Sequence, residues 1–250
     1  MIIDSFDNKS KPLISPDSFY KKENFKEDVC IGVFSKYALE YALSKYKHEV
    51  AFSYECTGGK MPVYRIFVDN KSYLLYQSLI GGPAAVTLLT EINYIAGVKK
   101  FVIFGSSGGL IDDVQGKVIV PTSAYRDEGV SYHYMSPSDY IDVKNHNVIE
   151  NILKDNNVPY IKGKTWTTDA IYMETVNKVN ERKNDGCISV EMECASLQAV
   201  ANYINVDLYT FFFTGDLLLD KWEKNNMGGE NERKEQVNMF DIALMIAKRA

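Results

Sequence analysis

The sequence predicts an α/β fold built as one layered domain. Three observations predict it. Apolar, β-branched runs alternate along the chain with segments of helical periodicity, which is typical of a layered α/β domain rather than of a bundle or a sandwich. The chain has 250 residues, 46% of them hydrophobic, which suffices for one large core. No repeat, low-complexity tract or Pro- and Ser-rich linker separates a second domain.

Eight segments have the character of strands and six have that of helices. The predicted strands are residues 29–34, 50–54, 64–68, 73–79, 101–104, 117–125, 160–165 and 208–213. The predicted helices are residues 37–46, 84–96, 148–156, 174–183, 192–203 and 234–248. Pro83 and Gly97 mark the start and end of the second helix. The first ~20 residues are predicted to form an arm, either packed on a neighbouring subunit or mobile.

The charge pattern excludes two classes of partner. The net charge is -5, with 28 basic and 33 acidic residues interspersed, so no basic stripe is available for a nucleic acid. The N-terminal segment carries acidic residues and lacks the apolar region of a signal peptide. No apolar run approaches the ~20 residues of a membrane helix. We therefore expect a cytoplasmic protein that binds no membrane.

The cysteines and histidines argue against a metal centre. They lack the close spacing that zinc sites and redox motifs require, so we expect no metal and interpret the cysteines as small buried hydrophobic residues. The residues are Cys30, Cys56, Cys187, Cys194, His48, His133 and His146.

The first candidate motif is FVIFGSSGGL at residues 101–110, where a predicted buried strand enters a Gly-Ser loop. Glycine lets backbone N–H groups approach an anion and serine hydroxyls add donors, so this loop could hold a phosphate or a sugar. It is neither a Walker loop nor a spaced dinucleotide fingerprint. A plain turn is the alternative.

The second motif is ISVEMECASLQAVANY at residues 188–203, which places Glu191 and Glu193 where a strand-like run passes into an apolar-faced helix. Carboxylates at the start of a buried helix are costly unless they have partners, and sugar hydroxyls would suit one of them. The alternative is that both acids only favour the helix dipole.

The third motif is YTFFFTGDLL at residues 209–218, an apolar strand that ends at Gly215 and Asp216. An aspartate at the carboxyl end of a buried strand lies where α/β sheets bind ligands. Partial desolvation would raise its pKa toward the range of a general acid. Helix capping by Asp216 is the alternative.

Together the three motifs resemble the nucleoside phosphorylase/nucleosidase superfamily, which includes bacterial-type purine nucleoside phosphorylases, uridine phosphorylases and methylthioadenosine nucleosidases. The resemblance extends from about Asp28 to the last helix. It implies a single-domain three-layer α/β/α fold with a mixed, distorted central sheet. It also implies assembly as a homodimer or a hexamer.

The resemblance further implies roles for individual residues. Asp216 would be the catalytic acid that donates a proton or a strong hydrogen bond to purine N7. The ribose would be bound by Glu193, with Met192 packing on the sugar and Glu191 beside it. The base would contact Ile171 and Tyr172, in the segment TDAIY at residues 168–172, together with Ser107 and Gly108. The phosphate would be bound by Gly32, Lys36, Ser106 and Arg126.

Three positions bear on the attacking group. Ile103 stands where phosphorylases of this superfamily usually have arginine, a feature shared with the nucleosidases, which use water. Lys36 stands at a second arginine position and could neutralise phosphate as a point charge. Arg126 lies in YRDEGVSYHY, residues 125–134, which resembles a segment of uridine phosphorylases. Its alternative role is to pair with Asp127 or Glu128 on a solvated loop.

The implied activity is phosphorolysis of a purine ribonucleoside to free base and ribose 1-phosphate, with inorganic phosphate as co-substrate and no metal or organic cofactor. A purine is favoured because Asp216 is a purine-type feature and because Met173, Glu174 and Thr175 follow Tyr172 where pyrimidine enzymes carry a Gln-x-Arg pair. Three alternatives remain: a nucleosidase, a uridine phosphorylase and a non-catalytic nucleoside-binding protein. Trp222 belongs either to a lid or to ordinary packing.

Overall fold

The computed structural model describes residues 2–4, 6–7, 9–23, 25–56, 59–225 and 227–250. Within these ranges, eleven strands form one mixed sheet and seven α-helices pack around it. The strands are β1 (Val29–Val33), β2 (Lys47–Cys56), β3 (Gly59–Val68), β4 (Lys71–Gln77), β5 (Lys100–Gly109), β6 (Val118–Asp127), β7 (Tyr140–Asp142), β8 (Tyr160–Thr168), β9 (Cys187–Glu191), β10 (Asp207–Leu218) and β11 (Trp222–Glu223). The helices are α1 (Lys36–Lys45), α2 (Gly82–Ala96), α3 (Ser131–Tyr134), α4 (His146–Asp155), α5 (Val176–Asn184), α6 (Cys194–Tyr203) and α7 (Glu230–Ala247).

The sheet lies between two layers of helices. Helices α1, α4 and α7 bury apolar side chains against one face, where Val102 and Phe104 of β5 point. Helices α2 and α6 cover the other face, where Phe101 and Ile103 of the same strand point. This alternation along β5 follows from the two-residue period of a strand. The predicted three-layer α/β/α fold with a mixed sheet is confirmed.

The distortion of the sheet has a specific form, because five of its strands close into a ring. β5 pairs in parallel with β10, β10 contacts β6 at the antiparallel pair Phe212 and Ile119, and β6 pairs in parallel with β8. β8 then pairs in parallel with β9, and β9 returns to β5 in antiparallel pairing through Gly108 and Gly109. Four further strands extend from β5 in the order β1, β4, β3 and β2, while β7 pairs with β6 and β11 pairs with β10.

The predicted loop at residues 105–109 is wrong, because these residues continue β5. The register with β10 runs from Ser106 opposite Phe213 to Gly109 opposite Leu217. A side chain at position 109 is excluded, since a Cβ there would lie 2.6 Å from Val114 and 2.7 Å from Leu217. Glycine has a low intrinsic preference for strands, but here the close approach of Val114 and Leu217 requires it within β5.

Two predicted helices begin later than the sequence pattern suggested. Helix α5 starts at Val176, since the hydroxyl of Thr175 accepts a hydrogen bond from the amide of Lys178 and caps it. Helix α6 starts at Cys194. Glu174, Met192 and Glu193 therefore precede their helices. The predicted strands and helices did not include the short α3, β7 and β11. They also did not include β9, which corresponds to the strand-like run that precedes the helix in the second motif.

Cys30, Cys187 and Cys194 are buried free thiols, as predicted, and the side chain of Cys56 lies outside the described part of the chain. Among the described helices, none combines the length and the apolar character needed to cross a membrane.

Candidate active site

A cavity of about 250 Å³ lies where the second half of β5 meets the ends of β9 and β10. The three motifs singled out in the sequence all contribute to it. The residues that line it are Phe34, Ile80, Ser106, Ser107, Gly108, Ile171, Glu174, Val190, Glu191, Met192, Glu193, Asp216, Leu218 and Met227.

A β-bulge directs Asp216 into this cavity. Thr214 lies opposite Ser107 and Asp216 lies opposite Gly108, so Gly215 is an extra residue in β10. In a regular strand without a bulge, Asp216 would share a face with Thr214, because side chains alternate along a strand. The bulge instead places Asp216 beside Gly108, where a Cβ would lie 3.4 Å from its Oδ1 atom.

Asp216 is only 9% exposed. Burial raises its pKa above the ordinary value for aspartate, because a desolvated carboxylate is disfavoured. A hydrogen bond from the Trp222 indole, 2.7 Å from Nε1 to Oδ2, acts in the opposite direction and lowers the pKa. Burial therefore favours the protonated form of Asp216, whereas the hydrogen bond from Trp222 favours the ionised form.

Glu191 and Glu193 make different contacts although they are two residues apart. The Oε2 atom of Glu191 accepts hydrogen bonds from the amides of Glu193 and Cys194, at 2.7 and 2.6 Å, and thereby satisfies the first turn of α6. Its Oε1 atom accepts a 2.6 Å hydrogen bond from the hydroxyl of Thr167. Burial nevertheless raises the pKa of Glu191 to about 8. The helix-terminus interpretation thus describes the contacts of Glu191.

Glu193 turns toward the segment between β4 and α2. Its Oε1 atom accepts a 2.6 Å hydrogen bond from the amide of Gly81. Gly81 has φ of 97°, a conformation that favours glycine, and this conformation aims its N–H at the carboxylate. Burial raises the pKa of Glu193 to about 7. The Gly81 amide thus holds the Glu193 carboxylate in position at the cavity.

The Gly-Ser segment of β5 forms one wall. Ser106 is exposed, whereas Ser107 is buried and donates a 3.5 Å hydrogen bond to the carbonyl of Phe213. A Cβ at Gly108 would lie 2.5 Å from Leu218 and 3.0 Å from Val190, so only glycine leaves space there.

The predicted base-binding segment divides between cavity and solvent. Ile171, on a 3-10 turn (Ile171–Met173), lines the cavity. Tyr172 is 98% exposed and is not a lining residue. Glu174, which the sequence prediction did not assign to the site, lines the cavity, and its pKa is raised to about 7 by burial and by the charge of Asp216.

Three predicted phosphate residues lie outside the cavity lining. Gly32 is buried in β1, and a Cβ there would lie 2.8 Å from the hydroxyl of Tyr76. Lys36 begins α1, is exposed and pairs with Glu40 at 3.4 Å. Arg126 is buried and belongs to a separate hydrogen-bond network.

Arg126 pairs neither with Asp127 nor with Glu128. Its Nε donates a 2.7 Å hydrogen bond to Ser131 Oγ, and its Nη1 donates to the carbonyls of Ser136 and Ser138. The guanidinium also lies 4.1 Å from the ring centre of Tyr132. These contacts tie the segment after β6 together and occupy most of the guanidinium.

The lining of the cavity is acidic. Four carboxyl groups border it, from Glu174, Glu191, Glu193 and Asp216, and no lysine or arginine among the described residues joins them. Ile103 is 1% exposed in the apolar layer between the sheet and helices α2 and α6. The described residues also contain no group of three His, Cys, Asp or Glu side chains arranged to hold a metal.

Several lining residues carried no signal in the sequence. Phe34 and Ile80 follow β1 and β4, and Met227 precedes α7. Phe34 lay at the end of a predicted strand, and Ile80 and Met227 resemble ordinary apolar loop residues, so composition could not identify them. For the segment before α2, the paired Gly81 and Gly82 were a usable signal, because adjacent glycines before a helix indicate unusual backbone geometry.

Known proteins resemble this chain in sequence and in fold. The family model of the phosphorylase superfamily matches residues 28–247. The DeoD-type purine nucleoside phosphorylase of Buchnera aphidicola subsp. Acyrthosiphon pisum is 25% identical over 232 residues, which cover 90% of this chain and 95% of that protein.

Two solved structures show the same fold. Purine nucleoside phosphorylase from Toxoplasma gondii, in complex with immucillin-H, has a TM-score of 0.75 at 18% identity, covering 88% of this chain and 90% of its own. A mutant futalosine hydrolase of Helicobacter pylori has a TM-score of 0.70 at 13% identity, covering 91% and 100%. The fold is thus shared with proteins named as phosphorylases and as hydrolases.

Proposed function

Because this chain belongs to the phosphorylase superfamily, we propose that it cleaves the N-glycosidic bond of a purine ribonucleoside with inorganic phosphate, giving free base and ribose 1-phosphate. One observation carries the proposal: Asp216 and Glu193, from different motifs, line a single cavity with the Gly-Ser segment of β5. Such a cavity offers a group for the leaving base and a group for the sugar.

Asp216 acts on the base in this proposal. Its raised pKa keeps the carboxyl group protonated to a higher pH than an exposed aspartate. The proton, or a strong hydrogen bond, goes to purine N7 as the bond to C1′ lengthens. The departing base then leaves with its negative charge neutralised, and the sugar passes through an oxocarbenium-like state.

Glu193 acts on the ribose. Its ionised carboxylate accepts hydrogen bonds from the 2′- and 3′-hydroxyls, and the Gly81 amide fixes its position. Met192, beside it in the lining, packs on the sugar. These contacts orient C1′ toward the attacking group, which lowers the entropic part of the barrier.

Phosphate is the proposed nucleophile on two grounds. The Buchnera relative is named as a phosphorylase. The exposed hydroxyl of Ser106 and the backbone of a glycine-rich strand lie at the cavity, where they can donate hydrogen bonds to an anion. Lys36, two residues after the lining residue Phe34, would supply positive charge.

Hydrolysis of the same bond is the second candidate, and a specific observation favours it. The described lining contains four carboxyl groups and no lysine or arginine, a field that repels a phosphate dianion but not water. No metal or organic cofactor enters either proposal.

The decisive experiment measures base release from inosine, adenosine, guanosine and uridine with and without phosphate, and identifies the sugar product. Phosphorolysis requires phosphate and yields ribose 1-phosphate. Release of free ribose in phosphate-free buffer would establish hydrolysis instead, and preference for uridine would contradict the purine assignment. Binding without release would indicate a nucleoside-binding protein. The Asp216→Asn variant is the control that ties any activity to this cavity.

A further inference from the structure

Glu174 is a carboxyl group in the cavity without a hydrogen-bond donor of its own. Among the described residues, donors reach Glu191, Glu193 and Asp216, but none reaches the Glu174 carboxylate. A half-buried carboxylate without a partner is costly. Its position in the lining therefore calls for a donor that arrives with the ligand.

Glu174 lines the same cavity as Asp216. It stands between the 3-10 turn (Ile171–Met173) and Thr175, the cap of α5. With Leu218 it borders both the main cavity and a second cavity of about 220 Å³ beside Trp222, the residue that donates to Asp216. The charge of Asp216 contributes to the raised pKa of Glu174, so the two carboxyl groups interact.

Purines differ in chemistry at the edge that carries N7. Next to the N7 acceptor, adenine presents the donor N6–H₂, whereas a 6-oxopurine presents the acceptor O6. Two interacting carboxyl groups in a desolvated site tend to hold one proton between them. The protonated member can donate to N7, and the ionised member can accept from N6–H₂. A 6-oxopurine instead needs two donors, and therefore two protons.

We propose that Glu174 determines specificity by accepting a hydrogen bond from the 6-amino group of an adenine-type base, while Asp216 donates to N7. The inference rests on the proposed function and names its substrate class, the 6-aminopurine ribonucleosides. Because adenosine requires one proton on the pair and inosine two, rising pH selects for adenosine.

The other ionisable groups around the pair set the pH at which this selection occurs. Most of them are acidic and favour retention of a proton. The basic Lys178 of α5 is engaged with Asp127 at 3.0 Å. The groups facing the pair are Glu191 and Glu193 in the main cavity, Asp220 and Lys221 in the second cavity, and Glu232 of α7, whose charge raises the pKa of Asp216.

The test compares kcat/KM for adenosine and inosine across pH in the wild-type protein, Glu174→Gln and the matched control Glu223→Gln. Glu223 is an exposed carboxylate on β11 outside both cavity linings. In the wild type and the control, the adenosine-to-inosine ratio should rise by up to about tenfold per pH unit once the pair holds one proton. In Glu174→Gln the ratio should be independent of pH, since an amide can donate to O6 or accept from N6–H₂. A pH-independent wild-type ratio, or the same profile in Glu174→Gln, would overturn the inference.

A binding measurement separates this inference from the proposed function. Calorimetry with free adenine and hypoxanthine needs no turnover. Preference for adenine at pH 8 that falls about tenfold or more in Glu174→Gln supports the role of Glu174, even if no nucleoside is cleaved and the proposed function fails. Equal affinity for the two bases in the wild type overturns it, even if both nucleosides are cleaved.

Discussion

The indole Nε1 of Trp222 donates a 2.7 Å hydrogen bond to Oδ2 of Asp216. The bond joins the two-residue strand β11 to the end of β10, with which it pairs. Trp222 is 59% exposed, so its ring is not fixed by burial in a core. The proton affinity of Asp216 therefore depends in part on Trp222, an exposed side chain six residues away.

Replacing Trp222 by phenylalanine should shift the pH profile of catalysis. The indole bond stabilises the ionised carboxylate, so its loss raises the pKa of Asp216 further. If protonated Asp216 is the active form, the alkaline limb of kcat/KM should move up by about one pH unit, as expected for one hydrogen bond to a charged group. An unchanged or downward-shifted limb would argue against this coupling. The neighbouring Glu223→Gln variant serves as the control.

The substitution Asp216→Asn should lower kcat/KM for a purine nucleoside by ~100-fold or more, the usual contribution of a general acid. Asparagine keeps the shape and can still accept the indole hydrogen bond, so the fold should persist. Steady-state kinetics measures the effect, and Glu223→Gln, a change at an exposed acid outside both cavity linings, should retain activity. Wild-type rates in Asp216→Asn would remove this residue from the mechanism.

Stability should fall as pH rises from about 5 to 8. Folding raises the pKa of Glu191 to about 8 and those of Glu174 and Glu193 to about 7, from an ordinary value of 4.5. The folded state thus binds more protons than the unfolded state in this window, so alkali favours unfolding. The melting temperature across pH measures the effect. Glu191→Gln should flatten the curve, and an equally steep decline in that variant would contradict the assignment.

Gly108→Ala should damage both stability and activity. The new Cβ would meet Leu218 at 2.5 Å and Asp216 Oδ1 at 3.4 Å, and overpacking of this kind costs about 1–3 kcal/mol. Thermal unfolding and kcat/KM would report the two effects. The matched control is Gly129→Ala, where a Cβ finds ordinary contact distances of 3.6 Å or more. Equal tolerance at both positions would show that β5 and β10 can separate more easily than their packing indicates.

Lys36→Ala tests the proposed phosphate site. Loss of one charge-assisted contact should raise the KM for phosphate by roughly tenfold and leave the KM for nucleoside nearly unchanged. Lys47→Ala is the control, since Lys47 is exposed at the start of β2. An unaltered phosphate KM would assign phosphate binding to other groups.

Much of the architecture could be predicted because its signals are local. The alternation of apolar runs with helical patterns located the main strands and helices. Asp216 stood out because it is a charged residue at the end of the apolar run of β10. The sequence could not indicate that residues 105–109 are a strand, because their pairing with β10 is set by tertiary contact rather than by propensity.

The site was only partly predictable for a related reason. Asp216 and Glu193 stand out because charge in an apolar context is costly. Glu174 stands in a polar loop where charge is unremarkable, and only the fold reveals that this loop borders the cavity. Tyr172 shows the converse, since an aromatic residue in a promising segment lies almost wholly in solvent. Side-chain direction in a short turn depends on backbone angles that no residue pattern specifies.

The parallel pairing of β5 with β10 has a consequence for how the chain becomes functional. Residues such as Ser106 and Phe213 are adjacent in the sheet but about a hundred residues apart in sequence. A contact of that span forms only after a long loop has closed, and chains dominated by such contacts refold slowly. Helical signals should therefore recover first after dilution from denaturant. The cavity, whose walls include both strands, should form only after the helical signal has recovered.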